Sequence, residues 1–408
     1  MVNGSGGSPP LLLFPIPHFP LLETFFSPCP RGLEAVLADE LGPLGAQRIE
    51  PLPGGVQFHG DLAVAYRVNL ESRIASRVLW QIAAGEYRSE DDLYQAAFAL
   101  DWPQWFPVER TLRVNVAAIK SPLRSLDFVT LRIKDAVCDR FREHTGRRPS
   151  VDTRAPDVRI HAFLDAQRYT LYLDTSGEPL FKRALRASRT EAPLRDNLAA
   201  GILRLAGWQP GTPFLDPMCG SGTFLLEAAR IALDAAPGAA RSFAFERLAG
   251  FDARAWHDLK AAAKARQKPI GPLPIYGSDL SGTALAQARA NLAEAGLDAA
   301  VQLKQANVLE IGAPADSGVL VTNPPYGVRI GDEAELAEFY PKLGDVLKRT
   351  FAGWNCYFFT ADLRLPKLIR LTVSKRTPLF NGALECRLFE FRMVAGSMRR
   401  TKGTAGDG

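Results

Sequence analysis

Cysteine and histidine are scarce in this 408-residue chain, five of each, and both are scattered. Cys29, Cys138, Cys219, Cys356 and Cys386 include no pair at the short spacing of a zinc ligand set or a redox motif, and their number is odd. They read as reduced thiols of a cytoplasmic protein rather than as a disulfide framework. His18, His59, His144, His161 and His257 lie equally far apart, so no metal site is expected. No apolar run approaches the ~20 residues of a membrane span, and no membrane partner is expected. The most apolar stretch, Leu11 to Leu22, is interrupted by Pro15, Pro17 and Pro20 and lacks a leading positive charge, which makes it a poor signal peptide. Internal repeats are absent. What remains, 47% hydrophobic and 23% charged residues, is an ordinary globular composition with length for two or three domains.

The net charge of +5 says little as a total. Its distribution says more: residues 101–200 hold 18 Lys and Arg against 13 Asp and Glu, and the rest of the chain is balanced. Such asymmetry points to a polyanionic partner, with solvated helix faces as the plain alternative.

Patterning divides the chain. Residues 1–23 and 397–408 read as disordered tails. From Phe25, helices are expected over Arg31 to Leu41 and Leu62 to Leu79, with a short strand at Val56 to Phe58. Residues 110–119 alternate as a half-buried strand. Asp127 to His144 reads as an amphipathic helix with Phe128, Leu131, Val137 and Phe141 inward and Gly146 as its cap. Arg132, Arg140, Arg142, Arg147 and Arg148 then face solvent. Val158 to Leu164 and Tyr169 to Asp174 read as a hairpin, completing an α+β unit within 24–190. After a linker near Arg189 to Pro193 the rhythm becomes strand, helix, strand, helix over 191–396, the pattern of a parallel α/β sheet. It closes with two extended runs joined at Asn381-Gly382, a dipeptide suited to a tight hairpin turn.

Two motifs carry chemistry. Asp216-Pro217-Met218-Cys219-Gly220-Ser221-Gly222-Thr223 lies between a strand and a helix, where open α/β sheets bind ligands. Its glycines match neither the dinucleotide fingerprint nor the phosphate loop, and Asp216 would repel phosphate but suit an amino or sulfonium group. A purely structural turn is the alternative. Asp279, ending the next strand, suits the two hydroxyls of a ribose; capping the following helix is the alternative, and Ser281 competes for that role. The second motif is Asn323-Pro324-Pro325-Tyr326, directly after a strand. Consecutive prolines fix the backbone and remove N–H donors, leaving the Asn323 side-chain oxygen and main-chain carbonyls as acceptors for an exocyclic amine. Tyr326 offers a flat face for a base.

Together these motifs resemble the signature of class I S-adenosylmethionine-dependent amino methyltransferases. Ser27 to Glu34, Gly54 to Gly60, Leu93 to Trp102, Lys134 to Ala136, Val151 to Arg159 and Arg204 to Gly222 resemble the THUMP-containing RNA methyltransferases. Within that family the likeness is to the bacterial RlmL-type enzymes, which form N2-methylguanosine in 23S ribosomal RNA. The resemblance implies a Rossmann-like methyltransferase fold and a THUMP domain at about 65–176. It implies that Asp216, Gly220 and Gly222 hold the methionine part of S-adenosyl-L-methionine, and Asp279 its ribose. Cys219, Ser221 and Thr223 would complete the cofactor loop, and Asn307 stands where the family often has an aspartate near the adenine. Asn323 and Pro324 would hold the target amine, with Pro325 and Tyr326 beside the base. Some family members carry a second methyltransferase unit; with the chain stopping at Gly408, that second activity is expected to be absent. The rival readings are a transfer RNA guanine-N2 methyltransferase of the same fold and a non-catalytic RNA-binding assembly factor. An NAD-dependent oxidoreductase is disfavoured by the glycine spacing.

Overall fold

The computed structural model describes residues 22–183, 194–324 and 332–394. The expected linker at 189–193, the tail at 397–408, nearly all of the N-terminal tail, and Pro325 and Tyr326 lie outside the described residues.

The first unit runs β1 (Glu23–Pro28), α1 (Glu34–Leu41), β2 (Gln47–Leu52), β3 (Gly55–Gly60), α2 (Leu62–Glu71) and β4 (Leu79–Glu86). It continues through α3 (Glu90–Phe98), β5 (Leu112–Ala118), α4 (Leu126–Thr145), β6 (Val158–Leu164) and β7 (Arg168–Asp174). All seven strands form one sheet, ordered β2-β3-β1-β4-β7-β6-β5, with the antiparallel β4–β7 pair joining its two halves. Two expectations need correction. The helix from Leu62 stops at Glu71, because Ser72 is extended and residues 72–74 are captured by a buried carboxylate. Glu40 accepts the Ser72 hydroxyl at 2.6 Å and the Arg73 and Ile74 N–H groups at 3.0 and 3.3 Å. In α4 the inward stripe is Val129, Ile133, Val137 and Phe141, while Phe128 and Leu131 are 50% and 53% exposed. The buried set keeps an i, i+4 spacing, which the other two residues break.

The second unit runs α5 (Asp196–Leu205), β8 (Phe214–Asp216), α6 (Thr223–Ala232), α7 (Ala253–Arg266), β9 (Ile275–Asp279), α8 (Gly282–Glu294) and β10 (Gln302–Gln305). Then come β11 (Gly318–Thr322), α9 (Asp332–Thr350), β12 (Trp354–Thr360), α10 (Leu365–Leu368), β13 (Lys375–Asn381) and β14 (Leu384–Arg392). Its sheet is ordered β10-β9-β8-β11-β12-β14-β13; the first five strands are parallel and the last two form the antiparallel hairpin. Gly382, at φ 65°, supplies the left-handed residue of its turn.

The two units share a core. Leu33, Leu37 and Leu41 of the first pack in one continuous cluster with Leu198 and Ile202 of the second. Gly201 marks one tight contact between them: a Cβ there would land inside the buried Leu33 side chain. Gly201→Val should therefore destabilise the protein by roughly 1–3 kcal/mol through overpacking, read as a lower midpoint in urea. An unchanged midpoint would show that this helix contact is dispensable.

Buried charge reinforces the junction. Arg183 donates to Glu227 Oε1 at 3.4 Å, to the Arg73 carbonyl at 2.8 Å and to the Leu180 carbonyl at 2.7 Å, while Arg230 reaches Glu227 at 3.3 Å. Burial opposes ionisation of Glu227, yet the Arg183, Arg230 and Arg73 guanidiniums together hold its carboxyl below the ordinary range. Glu227 sits on α6, directly after the glycine loop, so the first unit is tied to the helix that carries that loop. Among the described residues no helix is long and apolar enough to cross a membrane, and no group of three or more His, Cys, Asp or Glu is placed to hold a metal ion.

Candidate active site

Parallel strands bring their C-terminal ends to one side of the sheet. β9, β8 and β11 are neighbours, so Asp279, Asp216 and Asn323 emerge side by side although they are far apart in sequence.

Asp216 is buried, and its Oδ1 accepts the Thr322 hydroxyl at 2.8 Å and the Met218 N–H at 3.3 Å. Burial pushes its carboxyl up to about 7, against the ionising pull of those two hydrogen bonds, and Asp279 adds to the upward shift. A cation placed against this carboxylate would relieve the mismatch. The loop that follows is held from beneath: Cys219 N–H donates to the Ser278 carbonyl at 2.9 Å, and Asn291 Nδ2 to the Ser221 carbonyl at 3.0 Å. Gly220 and Gly222 both have positive φ, 54° and 81°. Gly222 also leads directly into Thr223, the first residue of α6. The Cys219 thiol is buried, and desolvation pushes it up, so it is a packing group rather than a nucleophile.

A Cβ on Gly222 would stand 3.2 Å from the Ala288 Cβ, in a backbone conformation that costs an L-residue about 1–2 kcal/mol. Gly222→Ala is expected to weaken cofactor binding about tenfold by displacing the loop, as titration calorimetry would show; wild-type affinity would mean that the loop tolerates the change.

Asp279 accepts the Gly220 N–H on Oδ2 at 2.9 Å and the Ser281 N–H on Oδ1 at 2.9 Å. Each oxygen keeps a lone pair for a hydroxyl donor. The capping alternative falls away, since Ser281 is the N-cap of α8, its Oγ accepting from Ala284 N–H at 3.3 Å. Asn307 is occupied locally: its Oδ1 accepts the Leu309 N–H at 3.0 Å, so it shapes the turn after β10. At the end of β11, Asn323 is half-buried and Pro324 buried, and Asn323 Oδ1 is a buried acceptor with no partner among the described residues. An orphaned acceptor beside the Asp216 loop is what a bound donor would satisfy.

Three contributors escaped the sequence reading. Thr322 couples β11 to Asp216, a link visible only once β11 lies beside β8. Asn291 supports Ser221 from α8. Leu280, 68% exposed between Asp279 and the cap, presents an apolar face at the same strand end; an apolar residue between two polar ones at a strand end was the available signal. Of the arginines expected to face solvent on and after α4, Arg142, Arg147 and Arg148 are exposed, whereas Arg132 and Arg140 are half-buried against Tyr94 and Phe98; all five have carboxylate partners. Arg132 meets Asp91 at 2.7 Å, Arg140 meets Glu143 at 2.6 Å, Arg142 meets Asp139 at 3.5 Å, Arg147 meets Glu109 at 2.6 Å and Arg148 meets Asp135 at 3.6 Å.

The donor set fits S-adenosylmethionine: a buried carboxylate for the cationic end, side-chain-free backbone, a carboxylate for the ribose and an apolar face nearby. Comparison with known proteins agrees. Family models match an RMKL-like methyltransferase domain over residues 183–390, a THUMP domain over 87–174 and an RlmL ferredoxin-like domain over 24–79. A putative RNA methyltransferase of Synechocystis is 40% identical over 90% of this chain and 96% of its own length. A ribosomal RNA large subunit methyltransferase K/L of Syntrophotalea carbinolica is 42% identical over 90% of this chain but only 53% of its own, so the chain spans about half of that relative. Among solved structures, SMU.472, a putative methyltransferase in complex with SAH, superposes with a TM-score of 0.84 at 31% identity, covering 92% of this chain and 99% of that one. With Asp216 and its glycine loop, Asp279 and Asn323 gathered at one end of a class I sheet, this chain belongs to the THUMP-containing, RMKL-like family of S-adenosylmethionine-dependent methyltransferases.

Proposed function

We propose that the protein methylates the exocyclic N2 of a guanine in 23S ribosomal RNA. The observation that carries the reading is the buried, unpartnered Asn323 Oδ1 at the end of β11, one residue from the Thr322 hydroxyl that bonds Asp216. A single strand end thus serves both the cofactor carboxylate and the acceptor for an amine. The THUMP and RlmL-type N-terminal regions, and K/L relatives named for large-subunit ribosomal RNA, support RNA as the substrate.

When bound, the cofactor supplies an electrophilic methyl group on a sulfonium. The residues of this chain do the rest by position. Asp216 faces the cationic end, and Asp279 offers oxygen lone pairs to the ribose. Asn323 Oδ1 accepts one N–H of the target amine and the Pro324 carbonyl the other, which turns the nitrogen lone pair out of conjugation and aims it along the line of transfer. As the N–C bond formed, the S–C bond of the sulfonium would break to leave a neutral thioether, and the nitrogen's proton would pass to solvent. Catalysis then rests on orientation and electrostatics. The target base must leave its stack to reach this pocket.

Incubation with isotopically labelled S-adenosylmethionine and unmodified 23S ribosomal RNA, followed by nucleoside digestion, tests the reading. Labelled N2-methylguanosine is the expected product. Label in transfer RNA instead, or in another nucleoside, would overturn the substrate assignment.

A further inference from the structure

Some cations, unlike the arginines of α4, have no carboxylate partner among the described residues. Two flank the turn of the β13–β14 hairpin, one from each unit. Arg31, exposed in the loop after β1, lies with its guanidinium carbon 4.4 Å from the centre of the Phe380 ring. Arg195, exposed at the start of α5, lies 4.9 Å from the centre of the Phe181 ring, and its Nη2 is 3.7 Å from where a Cβ on Gly382 would stand. Among the described residues neither makes a carboxylate contact, and the nearby acids are taken. Glu34 accepts the Gly32 and Gly54 N–H groups at 2.8 and 3.1 Å, and Glu385 accepts from Arg387 at 2.6 Å.

Strand register fixes where this pair sits. Thr360, at the end of β12, pairs with Arg387, which pairs with Pro378; Asn381 and Leu384 lie further along in the same direction. Since β12 is parallel to β11, the hairpin turn rises past the same end of the sheet as Asn323. Three strand spacings separate β11 from β13, roughly 14 Å at ~4.8 Å each. An arginine stacked on a ring has its plane already fixed, and its N–H edges remain free for a bidentate anion. A target base that leaves its stack needs its flanking strand held, and that strand carries one phosphate per nucleotide.

We propose that Arg31 and Arg195 grip the phosphodiester backbone of single-stranded RNA beside the target nucleotide, one arginine from each unit. The proposal rests on the RNA reading above and adds the surface that positions the strand. Arginine suits this role because its planar fork matches two phosphate oxygens, whereas a carboxylate-paired arginine on α4 would first have to give up its partner.

The test uses the full chain and in vitro transcribed, unmodified 23S ribosomal RNA, with S-adenosylmethionine affinity measured separately. For Arg31→Ala/Arg195→Ala, the KM for RNA should rise at least tenfold with kcat and cofactor affinity unchanged. The slope of log Kd against log salt should fall by about 1.5, as expected for two lost phosphate contacts. Arg31→Lys/Arg195→Lys should restore most of the slope but less of the affinity. Arg142→Ala/Arg147→Ala, which removes an equal charge from the paired surface, should change the KM less than twofold. Wild-type RNA affinity and salt slope in the first double variant would overturn the clamp, as would an equal loss in the control. If the wild-type protein neither binds nor methylates RNA, the RNA reading falls and the clamp with it; intact RNA methylation alongside an unaffected double variant sinks the clamp alone.

Discussion

Asn323→Ala is expected to lower kcat by about 10²–10³-fold, the scale of losing one preorganised polar contact to a reacting group, while S-adenosylmethionine affinity stays within twofold. The separation follows from the geometry. Asn323 Oδ1 has no hydrogen-bond partner among the described residues, so removing that oxygen breaks no hydrogen bond of its own there. Asp216, the carboxylate proposed to face the cofactor, is bonded instead by Thr322 and Met218. Removing the acceptor leaves the amine unoriented, its lone pair delocalised into the ring, and positioning is what the site contributes. Asn323→Asp separates shape from charge: it keeps an acceptor oxygen but adds a negative charge at a half-buried position near Asp216. Partial recovery with a shifted pH profile is expected there. Single-turnover methylation of ribosomal RNA, with calorimetry for the cofactor, reads both quantities. Asn323→Ala with full kcat would remove the acceptor role altogether, and a parallel collapse of cofactor affinity would make Asn323 a cofactor residue instead.

The parts of this site that were legible beforehand are those that local chemistry dictates. The Gly220 and Gly222 motif, read as a turn between a strand and a helix, forms one there between β8 and α6. Asn381-Gly382 encodes a tight turn, and the hairpin turns there. Strand ends carrying Asp216, Asp279 and Asn323 follow from the alternation of strand and helix. What was not legible depends on which strands become neighbours. Thr322 is unremarkable until β11 is laid beside β8, and the role of Glu227 needs arginines contributed from distant segments. The α4 helix shows the same limit at smaller scale. Its apolar residues fit more than one stripe, and only packing against the sheet selects Val129, Ile133, Val137 and Phe141 over Phe128 and Leu131. Nor does counting arginines say which are free. The charge excess in residues 101–200 is real, yet it does not mark which cations are free: the arginines on and after α4 are paired with Asp91, Glu109, Asp135, Asp139 and Glu143.

The affinity for S-adenosylmethionine should fall as pH drops through 7, approaching tenfold per unit, and Asp216→Asn should flatten that dependence. In the free protein, burial raises the Asp216 carboxyl to about 7, so below that value it is protonated. The cationic end of the cofactor favours the carboxylate, so binding at low pH must expel a proton, and the affinity falls with it. At pH 8 the carboxylate is already formed, and Asp216→Asn is expected to bind about 10–100-fold more weakly, the loss of one charge-assisted contact. Stability moves the opposite way. The folded-state value lies above the ~3.9 of an unfolded aspartate, so between about pH 4 and pH 7 the unfolded chain ionises while the folded one does not. Asp216 therefore contributes a loss of stability across that window as pH rises, against the opposite contribution of lowered carboxyls such as Glu227, and Asp216→Asn should remove that contribution. Thr322→Val, which deletes the 2.8 Å hydrogen bond favouring the carboxylate, should move the binding curve to higher pH. A cofactor affinity that stays flat between pH 6 and 8, or an unchanged slope in Asp216→Asn, would assign the titration to another group. Opposite pH trends in binding and stability, both abolished by one isosteric substitution, would tie them to this carboxyl, because a generally destabilised site would lose both together.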